Sequence, residues 1–205
     1  DYLIIGFGHN DEKTENDRYT QGEGDYLTQG TFAFSLYNNY IKKAQEAGCI
    51  PILCTPIVRR SPDGKWNGQM LHVTAPVGEY KGGDYPKAIR DLARQLNIAL
   101  VDMTMMTKEM YDRLGADETL YLHAWPSDKA ISVDNTHTNV WGARVNAYLC
   151  LSEIKNIGVE GLSNHITGLE NDAPMPSKKK YFKPSETYKP TVSYCFSEVM
   201  CCKNL

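Results

Sequence analysis

The feature that most constrains the fold is a repeated switch between short apolar runs and stretches of helical periodicity. Tyr2 to Phe7 is a nearly continuous apolar run ending in glycines, the pattern of a strand buried on both faces of a parallel sheet. Thr31 to Ala47 then carries Ala33, Tyr37, Tyr40, Ala44 and Ala47 at helical spacing, with Gly48 where a left-handed cap ends a helix. Cys49 to Cys54 is a second short apolar run, stopped by Thr55-Pro56. Pro86 suits a first helical turn, and Ile89, Leu92, Ala93 and Leu96 continue it as one apolar stripe. Ile98 to Val101 predicts a third strand, and Thr104 to Leu114 a helix stopped by Gly115. Thr138 to Ile157 predicts the last helix, with Val140, Ala143, Ala147, Leu151 and Ile154 on one side and Gly158 beyond it. Strands and helices alternating with crossovers this long build right-handed βαβ units. The expected fold is α/β, a three-layer sandwich around a parallel sheet. Ligands in such folds sit outside the carboxyl ends of the strands. The informative loops are therefore those after Phe7, Thr55 and Asp102, and the one before the last helix.

Composition removes two classes of partner. The 205 residues hold 22 Lys/Arg against 25 Asp/Glu, so the chain lacks the concentrated basic face of a nucleic-acid binder. No run approaches the roughly 18 uncharged apolar residues of a membrane span. The charge is unevenly spread: residues 172–205 have a net of +3 and residues 1–171 a net of −6. Four of the ten prolines, Pro174, Pro176, Pro184 and Pro190, also fall in that last stretch, and closely spaced prolines block helix and remove ladder donors. The expected organisation is a body over 1–158, a connector over 159–190 that is Pro/Lys-rich from about 172, and a Cys-containing tail over 191–205. Cys49, Cys54 and Cys150 sit in apolar contexts suited to reduced thiols. Cys195, Cys201 and Cys202 match no zinc spacing, and no metal is expected.

Two loops carry residue types suited to chemistry. Gly6-Phe7-Gly8-His9-Asn10-Asp11 follows the first strand directly. Its glycines let the backbone turn sharply, and Asn10 offers amide N–H donors to a developing oxyanion. The alternative is a Gly-Asn-Asp turn closed by its own side chains. Val133-Asp134-Asn135-Thr136-His137 precedes the last helix. This spacing sets a carboxylate and an imidazole on one side of a tight loop, where Asp134 can fix the ring while its other nitrogen acts as general base. The alternative is that Asp134 or Thr136 caps the helix and His137 is a surface residue.

Taken together, the two loops resemble the SGNH (GDSL-type) hydrolase family. The blocks Ile4-Ile5-Gly6-Phe7-Gly8-His9-Asn10-Asp11, Ile52-Leu53-Cys54-Thr55-Pro56-Ile57-Val58-Arg59-Arg60, Gly83-Asp84-Tyr85-Pro86-Lys87-Ala88 and Asp134-Asn135-Thr136-His137 are similar, in order and spacing, to its rhamnogalacturonan acetylesterase branch. The resemblance covers roughly residues 1–158. It implies a flavodoxin-like sandwich and a carbohydrate esterase that removes acetyl groups from a pectic polysaccharide. It also implies Asn10 as the oxyanion asparagine, His137 as the base and Asp134 as the residue that orients it. The implied chemistry is two-step acyl transfer through a serine, with no metal or organic cofactor. The partner would be an acetylated pectic oligo- or polysaccharide.

The family pattern begins with a Gly-Asp-Ser turn, and none of the serines here stands in that setting or in G-x-S-x-G. The expectation is that the first strand and its nucleophile precede Asp1, and that the 205 residues alone turn over no ester. Arg59 and Arg60 follow a strand end and suit a sugar carboxylate; the alternative is a solvated basic pair or an internal salt bridge. Arg60, His9, which adjoins Asn10, and Trp125, in the loop leading to Asp134, are the expected substrate contacts. Trp66 and Trp141 suit packing, with Trp141 one turn beyond His137, and His123 has no assigned role. Alternatives are another acyl-ester hydrolase of the same superfamily, lipase- or thioesterase-like, and a carbohydrate-binding homologue without catalysis.

Overall fold

The computed structural model describes residues 1–15, 17–124 and 133–169. Two compact units divide them, one built from Asp1–Pro56 and His72–Thr104, the other from Ile57–Leu71 and the residues from Met105 onward.

The first unit holds a three-stranded parallel sheet of β1 (Tyr2–Gly6), β2 (Ile50–Cys54) and β5 (Ala99–Val101), in the order β1-β2-β5. Ile4 pairs with Ile52, and Ile52 with Ala99. These are the three strands that the apolar runs predict. β2 lies between its neighbours, and Ile52 and Leu53 are fully buried. β1 differs from the expectation of burial on both faces. Among the described residues it is an edge strand, and Leu3 and Ile4 are each 37% exposed.

The predicted helix over 31–47 forms as α1 (Phe32–Leu36), a π-helical turn (Tyr37–Ile41) and α2 (Lys42–Glu46). Thr31 caps its start by accepting the Phe34 N–H at 3.1 Å, and Gly48 ends it at φ 74°. The two-residue strands β3 (Val73–Thr74) and β4 (Gly83–Asp84) form a small antiparallel ladder. α3 (Tyr85–Leu96) follows, with Asp84 accepting the Lys87 N–H at 2.9 Å and Pro86 in the first turn. Asn97, at φ 51°, closes it with a left-handed cap. Ile5, Phe32, Leu36, Leu53, Ile89 and Leu92 share the core between sheet and helices.

α4 (Met103–Glu118), which belongs to the second unit from Met105 onward, breaks at Gly115, whose φ of 74° and ψ of −179° are not helical. This is the stop that the sequence predicts, although the helix resumes beyond it. A 3₁₀ turn (Thr119–Leu122) leads on, and α5 (Val140–Asn156) is the last long helix. Asn139 caps α5, its Oδ1 accepting the Trp141 and Gly142 N–H groups at 2.9 Å each. The cap is therefore neither Asp134 nor Thr136. Val58, Trp66, Met110, Tyr111, Leu122 and Val145 form the core of this unit, and Trp66 Nε1 donates to Asp112 at 2.9 Å. No helix among the described residues is long and apolar enough to cross a membrane. The connector from residue 170 and the 191–205 tail lie outside the described residues.

Candidate active site

In the first unit, the loop after β1 is a turn closed by Asp11. The Gly8 N–H donates to Asp11 Oδ2 at 3.1 Å. Gly8 has φ 118°, a backbone conformation that glycine adopts without strain. Burial pushes the Asp11 carboxyl up, against the Gly8 hydrogen bond, which pulls it down. The Tyr85 hydroxyl is shared between the carbonyls of Asp11 at 3.0 Å and Thr20 at 2.8 Å, which ties this loop to α3. Asn10 is exposed, and no hydrogen bond closing the turn involves its side-chain amide. His9 is half-buried and lies against His72, with ring centroids 5.2 Å apart. His72 is itself buried, its Nδ1 3.3 Å from the Glu12 carboxylate.

The other strand ends of this unit are cross-tied. Thr55 Oγ1 donates to Asp102 at 2.9 Å, and Arg90 grips the same carboxylate through Nε at 2.7 Å and a terminal nitrogen at 3.0 Å. The Thr104 N–H donates back to Thr55 Oγ1 at 2.8 Å. The ends of β2 and β5 are thereby held together on one carboxylate, by a hydroxyl from one side and a guanidinium fork from the other.

In the second unit, Asp134 and His137 are brought together. His137 Nδ1 lies 2.7 Å from Asp134 Oδ2. Asp134 Oδ1 meanwhile accepts the backbone N–H groups of Thr136 at 2.7 Å and His137 at 2.9 Å. Partial burial pushes the Asp134 carboxyl up, but the hydrogen bonds from His137 and the two backbone groups outweigh it and hold it below its ordinary range. A carboxylate accepts only, so Nδ1 carries a proton, and in the neutral ring the lone pair is on Nε2. The His137 side chain is 77% exposed, so Nε2 sits on an accessible ring.

The loop bearing this pair is stitched to residues 121–124. The Asp134 N–H donates to the Ala124 carbonyl at 2.7 Å, and the Ala124 N–H to that of His137 at 2.9 Å. Asn139 Nδ2 donates to the carbonyls of Tyr121 and His123. Beneath the loop lies His123, fully buried. Its Nδ1 donates to the Asp134 carbonyl at 2.8 Å, and its Nε2 accepts from the Tyr111 hydroxyl at 2.7 Å. Burial pushes this imidazole down to about 4, so it is neutral under ordinary conditions. Sequence reasoning leaves His123 without a role; its only signal is a polar residue closing the run Leu120-Tyr121-Leu122.

Arg60, expected as a substrate contact, turns its guanidinium inward. It is 2% exposed, and its donors reach Asn135 Oδ1 at 3.3 Å, the Ala116 carbonyl at 2.7 Å, Thr119 Oγ1 and the Gly64 carbonyl. A sugar carboxylate would have to displace these acceptors. Trp141 lies one turn beyond His137 with the Arg144 guanidinium 5.4 Å over its ring. Trp125 lies outside the described residues. Among the described residues no group of three or more His, Cys, Asp and Glu side chains could hold a metal ion.

No protein-family model matches the chain. Two curated relatives do. A rhamnogalacturonan acetylesterase of Bacillus subtilis strain 168, RhgT, is 29% identical over 180 residues, covering 83% of this chain and 67% of that protein. A probable rhamnogalacturonan acetylesterase of the same strain, YesY, is 29% identical over 160 residues, covering 78% of this chain and 64% of that protein. The chain thus spans about two thirds of the length of each. Among solved structures, the Bacillus subtilis protein YxiM is similar with a TM-score of 0.52 at 20% identity, covering 78% of this chain and 38% of that one. That likeness supports the α/β fold with its parallel sheet.

Proposed function

We propose that the chain is part of a carbohydrate esterase that removes acetyl groups from a pectic, rhamnogalacturonan-like polysaccharide. The observation that carries the reading is the Asp134–His137 pair: a carboxylate pinned by two backbone N–H groups, bonded at 2.7 Å to Nδ1 of an exposed imidazole. The substrate class comes from the two relatives named as acetylesterases.

In this reading His137 Nε2 takes the proton from a serine hydroxyl as its oxygen attacks the acetyl carbonyl. Asp134 keeps Nδ1 protonated and stabilises the imidazolium that forms. The Asn10 amide donates to the oxyanion of the tetrahedral intermediate. Collapse of the intermediate expels the sugar hydroxyl, which receives the proton from His137, and leaves an acetyl-serine. Water, deprotonated by the same Nε2, then releases acetate and restores the serine. No serine of the 205 residues stands in a Gly-Asp-Ser setting, so the chain is assigned the histidine, the aspartate and the asparagine, not the nucleophile. His9 and Trp125 are assigned to the sugar. Arg60, with its donors engaged by chain acceptors, is given a different role below.

The test is a pair of substitutions in the protein expressed from its complete reading frame, assayed on p-nitrophenyl acetate and on long-acyl esters. Asp134→Asn and His137→Gln should each lower kcat by at least about a hundredfold, given what orienting and proton-transfer groups contribute. A parent that prefers long-acyl esters would replace the acetylesterase reading with a lipase-like one. Full activity in His137→Gln would remove the catalytic assignment altogether.

A further inference from the structure

We propose that Arg60 is the positioning residue of the Asp134–His137 pair and acts through Asn135. This rests on the catalytic reading of that pair.

Asn135 is the residue directly after Asp134, and Arg60 holds it twice. The Arg60 backbone N–H donates to the Asn135 carbonyl at 3.0 Å, and Arg60 Nε donates to Asn135 Oδ1 at 3.3 Å. The far side of the guanidinium is anchored on the Ala116 carbonyl, Thr119 Oγ1 and the Gly64 carbonyl. A planar fork with fixed donor directions transmits position in a way that a single flexible ammonium does not. The residue that follows the carboxylate is thus clamped, through Arg60, to Ala116 in α4, to Thr119 at the start of the 3₁₀ turn and to Gly64.

The charge adds a second effect on the same loop. Besides burial, the Arg60 charge helps keep His123 neutral. Neutral His123 is what donates Nδ1–H to the Asp134 carbonyl while accepting from Tyr111 at Nε2. Arg60 therefore supports Asn135 by hydrogen bonds, and its charge adds to the burial that keeps the strut beneath Asp134 neutral. A surface arginine recruited for substrate would show neither the 2% exposure nor this set of chain acceptors.

The prediction separates positioning from substrate contact. In the protein from its complete reading frame, Arg60→Lys keeps the charge and loses the fork, and Asn135→Ala loses the acceptor while leaving Arg60 in place. Both should lower kcat on an acetyl ester by about 10- to 100-fold, as a misplacement of about an ångström does, with KM changed less than about twofold. Carbon NMR of the Asp134 carboxyl should show its titration moving up towards the ordinary aspartate range in both variants, because its hydrogen bond with His137 is loosened. Two results overturn the proposal. One is a raised KM on pectic oligosaccharides with unchanged kcat, which would make Arg60 a substrate contact. The other is an unshifted Asp134 titration in folded variants, which would make Arg60 structural only. The NMR arm does not require turnover, so it stands even if the esterase reading fails. Should Arg60→Lys fail to fold, Asn135→Ala still decides.

Discussion

Acidification from pH 7 to pH 4 should destabilise the second unit through His123. The buried imidazole is neutral, and it lies close to the Arg60 charge and against the Tyr111 hydroxyl and the Asp134 carbonyl. Its ordinary value of 6.5 is pushed down to about 4 in the folded chain. Above about pH 6.5 neither folded nor unfolded chain protonates this ring, and it contributes no slope. Between about 6.5 and 4 the unfolded chain binds the proton and the folded chain does not, so stability falls as pH falls. Each decade is worth about 1.4 kcal/mol, which gives a loss of about 3 kcal/mol over the window. That is a large fraction of the roughly 5–15 kcal/mol by which a domain is stable. In urea it corresponds to a midpoint lowered by on the order of 1–2 M. The assay is urea unfolding at half-unit pH steps, read by tryptophan fluorescence, since Trp66 is in the same core as Tyr111. His123→Gln retains an N–H donor but cannot titrate. It should be less stable at pH 7 and show a flatter profile between 6.5 and 4. Parallel profiles for parent and variant, or a His123 carbon resonance titrating near 6.5, would refute the reasoning.

Three substitutions test the frame that carries the loops. A Cβ on Gly142 would overlap the Leu122 carbonyl oxygen and press to 2.8 Å from Thr138 Cβ. Gly142→Ala should therefore cost about 1–3 kcal/mol by thermal or urea unfolding, and an unchanged midpoint would contradict the close approach. Ile52 is fully buried in the central strand, and Ile52→Ala should cost about 2–5 kcal/mol. Leu27, 72% exposed, should tolerate alanine within about 0.5 kcal/mol. Equal effects at the two positions would argue against the core as described.

Much of the frame was legible because its signals are local. The strands β1, β2 and β5 follow from continuous apolar runs, and the start of α3 from Asp84 and Pro86. Gly48 and Gly115 mark breaks because glycine adopts their positive φ at no steric cost. The Asp134–His137 contact was also legible, since residues at this spacing meet within a single turn of loop. The cap of α5 was not: Asp134, Thr136 and Asn139 can all cap, and the choice falls to Asn139 because Asp134 Oδ1 is engaged inside its own turn. The inward course of Arg60 was hidden because its acceptors at Ala116, Thr119 and Asn135 are distant in sequence. His123 was hidden for the same reason, with Tyr111 and Asp134 on either side of it. The exposure of β1 depends on what flanks it in space, which an apolar run does not encode.

The central claim is that Asp134 and His137 serve acetyl-ester hydrolysis on a pectic polymer. Its most direct test is acetate release, followed by proton NMR, from acetylated rhamnogalacturonan oligosaccharides by the protein expressed from its complete reading frame. The account predicts steady release by the parent and a loss of at least about a hundredfold in His137→Ala. Equal acetate release by parent and His137→Ala, or no release by a folded parent, would contradict it.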